Sequence, residues 1–216
     1  MNRVLSIAGT LALVAGAASG EMFDVTGGQT SVLLDTDTLS TAASLDLSSV
    51  SADVIAPGEI GPNSVAFGIN SRTASMLPTT FSYDAGLTDF SGTIEHTGSV
   101  FFNSDSVEVG NFTIGFDMAR VGDDRSGFFV ESTTGIAAIL FDVATPSLLS
   151  ADASGLIIEA DLLVSSEFAT FLSDNGLASS DLTGADVGDA RVNAVPTPGA
   201  LGVLGLGSLL ATRRRR

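Results

Sequence analysis

An all-β domain, built as an antiparallel β-sandwich or jelly roll, is the fold this sequence predicts. Three observations point to it. Apolar residues recur with period two along the middle of the chain rather than at helical spacing, so successive side chains alternate between two faces of extended backbone. Turn-forming clusters such as Gly27-Gly28, Pro57-Gly58, Gly61-Pro62-Asn63, Asn103-Ser104-Asp105-Ser106, Gly122-Asp123-Asp124 and Asp152-Ala153-Ser154-Gly155 separate these stretches. Between the turns Thr, Val and Phe are enriched, and many short strands of this kind pack as layers of antiparallel sheet.

In chain order, Met1-Asn2-Arg3 supplies a positive start, an apolar run fills 4–14, and small residues occupy 15–20. That is the pattern of a cleaved signal peptide, a signal helix over 1–20 with cleavage between Ala18 and Glu21. No cysteine follows the apolar run, so lipoprotein maturation is excluded.

Strands are expected at 22–26, 30–34, 45–50, 65–69, 80–83, 92–102, 111–117, 127–131, 137–143, 155–164 and 190–195. The alternation is clearest in Asn111-Phe112-Thr113-Ile114-Gly115-Phe116-Asp117, which sets Phe112, Ile114 and Phe116 on one face, expected to be the core. One helix is expected over 167–172. Ser165 or Ser166 can cap it, Glu167 sits in its first turn, and Asp174-Asn175-Gly176 can stop it.

The segment 21–195 is long enough for one domain with a continuous core, and nothing in it suggests a second domain or a repeat. With no cysteine, the domain has no disulfide to hold it, so burial must supply its stability. Apolar residues make up 44% of the chain, which allows this. Charge is lopsided. Only Arg72, Arg120, Arg125 and Arg191 lie in this segment, no lysine exists, and twenty-five Asp and Glu leave it at −21. Such a surface repels phosphate backbones, so nucleic acid is excluded as a partner, while cations and neutral polymers fit.

Candidate chemistry is sparse. His96 is the only histidine, and no cysteine, second histidine or Gly-x-Ser-x-Gly elbow accompanies it. Ile94 and His96 share a strand face, which predicts a hydrogen-bonded sheet histidine. Asp35-Thr36-Asp37, Asn103-Ser104-Asp105 and Asp123-Asp124 offer oxygen atoms of the kind Ca²⁺ takes, without EF-hand or nonapeptide spacing, so solvated turns are the expectation and metal binding stays open. Two carboxylates about 5–9 Å apart would suit glycoside cleavage, but no pair is singled out. The aromatic set, thirteen Phe with one Tyr and no Trp, suits a core better than a sugar groove.

At the other end, Pro196-Thr197-Pro198 precedes GALGVLGLGSLLAT and then Arg213, Arg214, Arg215 and Arg216. The uncharged run is short of the roughly 20 residues that span a bilayer comfortably, and its glycines weaken it as a helix. An apolar run closed by cations is oriented with the cations on the cytoplasmic side. From Val195 on, the segment 195–216 resembles the PEP-CTERM sorting domain of bacteria, with Thr197 where that family most often has Glu. The resemblance implies a short transmembrane sorting helix, an exosortase-like transpeptidase as a partner beside the export machinery, and delivery to the cell surface or exopolysaccharide matrix. It assigns no catalytic residue and no cofactor. Gly92-Thr93-Ile94-Glu95-His96-Thr97-Gly98 resembles, in its single Gly-His element, surface β-domains that bind haem.

The sequence therefore leads to an exported protein, anchored at a membrane before processing, with a structural or interaction role, no enzymatic activity, and matrix polysaccharide as a candidate partner. The alternatives are a polysaccharide-acting enzyme with paired carboxylates and a Ca²⁺- or haem-binding surface module.

Overall fold

Gly27-Gly28, a turn signal in the sequence, bends a strand instead of ending one. Gly28 has φ of +115°, and a Cβ there would lie 2.2 Å from the Asn193 carbonyl oxygen, so the position admits only glycine. A register shift between Val25 and Gly27 marks the bulge, and one strand, β1 (Met22–Leu34), runs where two were expected. The computed structural model describes residues 20–198, so the signal segment over 1–19, the apolar run and Arg213 to Arg216 lie outside the described residues.

After β1 come α1 (Thr36–Ala43), β2 (Leu47–Val50), β3 (Val65–Gly68), β4 (Ser82–Asp84), β5 (Phe90–Ser91), β6 (Ile94–Glu95), β7 (Ser99–Phe102) and β8 (Val107–Phe116). They are followed by β9 (Arg125–Gly135), β10 (Ala138–Ala144), β11 (Leu148–Asp152), β12 (Gly155–Val164), α2 (Ser166–Asp174) and β13 (Asp186–Pro198). The class is all-β and antiparallel, as the alternation predicts. The layering differs from two separate sheets. One sheet of thirteen strands runs in the order β2-β7-β8-β9-β10-β12-β13-β1-β4-β5, with β11 on β12, β3 on β1 and β6 on β8.

The sheet curls until its branches meet. β3 pairs with the edge of β1 that faces away from β13, and β6 with the edge of β8 that faces away from β9, and a single bridge, Ile69 to His96, joins the two branches. The Asn70 N–H donates to the Glu95 carbonyl beside it at 2.8 Å. Because of that meeting, the faces of distant strands pack on one another. Phe67 of β3 meets Phe112 of β8 edge to face at 4.8 Å, and Phe81, Phe90, Phe116 and Phe128 form a second aromatic group. None of the thirteen Phe is exposed.

β8 holds Phe112 buried and Ile114 and Phe116 packed against the core, as expected. It also buries Val109, which strict alternation from Phe112 would turn outward. Asn111 resolves this with φ of +49°, a left-handed kink that lets both residues face inward, and its side chain bonds the Thr134 hydroxyl and the Gly98 N–H. α1 is absent from the sequence reading. Asp35 caps it by accepting from the Thr38 N–H, and its buried side, Leu39 and Ala43, is too short to show a period. α2 follows the expected signals: the Ser165 hydroxyl donates to the Ile139 carbonyl and accepts from the Phe168 N–H, and Asn175 ends the helix.

Candidate functional site

His96 sits where the curled sheet closes, and it is fully enclosed. Nδ1 lies 3.0 Å from the Phe112 carbonyl oxygen on β8, and Nε2 lies 2.8 Å from the Thr30 hydroxyl on β1. A carbonyl only accepts, so Nδ1 carries the proton and Nε2 accepts from Thr30. The ring is neutral. Burial pushes its pKa down to about 4, partly opposed by the Phe112 bond. Both nitrogens are engaged inside the protein, so the ring has no lone pair to present to a metal or to haem iron at the surface. Its chemistry here is that of a cross-link between β1 and β8.

The acidic clusters have structural work. Asp35 caps α1, and the hydrogen bonds from the Thr38 hydroxyl and N–H lower its pKa. Asn103 accepts from the Asp46 N–H and donates to the Ser44 carbonyl, Asp105 accepts from Ser49, and Asp123 pairs with Arg125 at 3.6 Å. They do not converge, and among the described residues no group of three or more His, Asp or Glu is arranged to hold a metal. Asp161 and Asp189 stand opposite each other on β12 and β13. Burial, the charges of Asp161 and Asp186 and a hydrogen bond with Asp161 raise the Asp189 pKa.

The sequence reading missed an ion-pair network. Asp142 on β10 is buried and takes Arg120 Nη1 at 2.6 Å and Arg125 Nη1 at 3.6 Å. Arg120 also pairs with Glu167 and lies over the Phe129 ring at 5.6 Å. Burial alone would lower the Arg120 pKa, but the Asp142 hydrogen bond and the charges of Asp142 and Glu167 raise it. A signal existed: an aspartate inside Ile139-Leu140-Phe141-Asp142-Val143 needs a cation, and the domain has four. Arg72 pairs with Asp24, and Arg191 with Glu159 and Glu59, so all four are engaged. Six of the twenty-five carboxylates take part, which leaves nineteen without an ion-pair partner among the described residues.

Of the expected sorting motif, the structure describes its first part as sheet. Pro196 stands opposite Val25, Thr197 opposite Asp24 and Pro198 opposite Phe23. The strand thus runs three residues past the expected domain edge at 195. β12 ends its pairing with β13 at Ala194, so beyond it β13 has a neighbour only in β1, and prolines, which lack an N–H, are tolerated on such a free edge. No helix among the described residues is long and apolar enough to cross a membrane.

Inside the curl, between β1, β3, β8, β10 and β13, lies an apolar space of about 60 Å³. Leu39 of α1 and Phe168 of α2 reach its wall, and His96 and Thr30 line it with their polar atoms turned to each other and to the Phe112 carbonyl.

Fold and site together define an antiparallel β domain with a curled sheet and a spent, buried histidine. No family model matches the chain, and no curated protein does. Among solved structures it is similar to the crystal structure of the C-terminal domain of HtaA from Corynebacterium glutamicum, with a TM-score of 0.52 at 14% identity, covering 81% of this chain and 99% of that one. At that identity the likeness concerns the fold alone.

Proposed function

We propose that this chain is an exported bacterial protein of the cell surface or exopolysaccharide matrix, in which the β domain has a structural or interaction role and the PEP-CTERM-like tail directs delivery. The observation that carries the reading is the order of the tail: Pro196-Thr197-Pro198, an uncharged Leu- and Gly-rich run, then four arginines. The arginines hold that end on the cytoplasmic side while the domain is outside. The folded domain supports it. With its four arginines engaged and nineteen carboxylates outside ion pairs among the described residues, the surface of the domain is dominated by one sign of charge, which suits neutral polymers or cations and repels polyphosphates. A role in interaction rather than turnover agrees with a histidine bonded at both nitrogens and with aromatic rings none of which is exposed.

The test is fractionation of cells making the full chain, with the mass of its mature C-terminus, beside a variant lacking Arg213 to Arg216. Delivery of the intact sequence to the surface and misrouting of the variant are expected. Equal surface display of both would defeat the sorting role of the tail.

A further inference from the structure

β13 ends on Pro196-Thr197-Pro198, and the direction of the backbone groups there decides what this end can do. The Val25 N–H donates to the Phe81 carbonyl at 3.0 Å, on the side of β1 away from β13. Backbone groups of successive strand residues point to opposite sides, so Asp24 turns its N–H and carbonyl toward β13. Thr197 stands opposite Asp24, which makes these two a hydrogen-bonding pair. Val195 agrees: its carbonyl accepts from the Thr26 hydroxyl of β1 at 3.2 Å, so Val195 and Thr197 face β1 while Pro196 and Pro198 face away. β12 has left β13 by then, its last pair being Leu156 with Ala194. The two prolines therefore fall on the one edge where a missing N–H breaks no bond of the ladder. Their spacing of two is the period of a strand, and Thr197 between them is β-branched and keeps the N–H that the Asp24 carbonyl takes.

We infer that Pro196-Thr197-Pro198 is the sealed end of the folded domain and stays on the mature chain, so that a peptidase or transpeptidase acting on the folded protein breaks a bond after Pro198. A protein that grips an extended segment by strand addition relies on the segment's main-chain groups. Here β1 occupies one edge of the tripeptide, and the other edge offers carbonyls but no donor. Reaching the Pro196–Thr197 bond requires stripping the strand from β1. Past Pro198 the break is an ordinary acyl transfer: the carbonyl carbon passes to water or to an acceptor amine, and the departing segment takes up the proton on its new amine. The placement of the tripeptide stands on the sheet geometry alone, and its consequence for processing rests on the sorting reading of the tail.

Hydrogen exchange on the full chain tests the placement. The Thr197 amide should exchange at least roughly 10-fold more slowly than in an unstructured peptide. Asp24→Pro removes the N–H that the Thr197 carbonyl takes; it should erase that protection and open the Pro196–Thr197 bond to a prolyl endopeptidase that spares it in the unaltered chain. Asp24→Asn keeps the backbone pair and should leave Thr197 protected. If Asp24→Pro does not fold, the Thr197 exchange rate in the unaltered chain decides the matter. In cells making the full chain, the mass of the mature C-terminus should include Pro198. An unprotected Thr197 amide, cutting after Pro196 in the unaltered folded chain, or a mature chain ending at Val195, Pro196 or Thr197 would each overturn the inference. A protected Thr197 in a chain that never reaches the surface would instead defeat the sorting reading while upholding the sealed end.

Discussion

Two joints hold the curled sheet, and they are built differently. Along β12, β13 and β1 the backbone does the joining: β13 pairs with β1 from Gly188 to Pro198 and with β12 from Asp186 to Ala194. At the other joint the backbone contributes less: the Ile69 to His96 bridge, the Asn70 N–H on the Glu95 carbonyl, and the Thr80 and Phe81 N–H groups on the Thr93 carbonyl. There the join depends on side chains, the His96 ring between Thr30 and Phe112 and the Phe67 to Phe112 contact. A long ladder tolerates the loss of one pair, while a joint of a few scattered bonds gains more from a buried side chain that fixes it. The lone histidine makes sense as that fixture, neutral and enclosed.

The largest effect is expected at Phe112, whose backbone carbonyl holds His96 and whose ring, the part a substitution removes, meets Phe67. Phe112→Ala should destabilise the domain by about 3–5 kcal/mol in urea unfolding, and hydrogen exchange at the Asn70 and His96 amides should quicken before exchange within β13. A loss below about 1 kcal/mol would show that the seam does not rest on this ring.

A somewhat smaller effect comes from acid. In the fold His96 titrates at about 4, whereas an unfolded histidine titrates near 6.5. Between those values the unfolded chain binds the extra proton, so this contribution is complete above pH 6.5 and is lost as pH falls toward 4, by about 3 kcal/mol in total. Carboxylates held low, such as Asp35 by Thr38 and Asp152 by Ser154, lose their contribution only below the ordinary carboxylate range. The two windows are therefore separable. Unfolding free energies measured from pH 7 to 4 should slope upward with pH, and His96→Gln should flatten that slope. An unchanged slope in the variant would assign it to other groups.

The smallest test sharpens the ladder side. Ser165→Ala, at the end of β12, removes the cap of α2 and the donor to Ile139, and should reduce stability by about 1 kcal/mol without altering exchange at the seam. Faster exchange at His96 in this variant would mean that the two joints are coupled.

The sequence discloses these regions unequally, for physical reasons. Strands buried on one face announce themselves, and 155–164 and the inward set Phe112, Ile114 and Phe116 are legible because burial imposes period two. β11 is not legible, since Leu148 and Leu149 are both exposed and no alternation marks it. The expected strand 92–102 breaks into β6 and β7 at Gly98, whose φ of +120° no pattern of hydrophobicity encodes. His96 is conspicuous as the only histidine, but its partner Thr30 lies 66 residues away and belongs to a curl that local patterns do not specify. Arg120 and Asp142 are likewise joined only by the fold.

The pairing of Phe23 with Pro198 also sets an order of events during synthesis. β1 emerges first, yet its long ladder partner is the last strand made, so β1 must wait unpaired on that side until nearly the whole domain has been produced. Closing a loop of that length before any β1–β13 bond forms makes this a high-contact-order fold, slow on the scale of small domains.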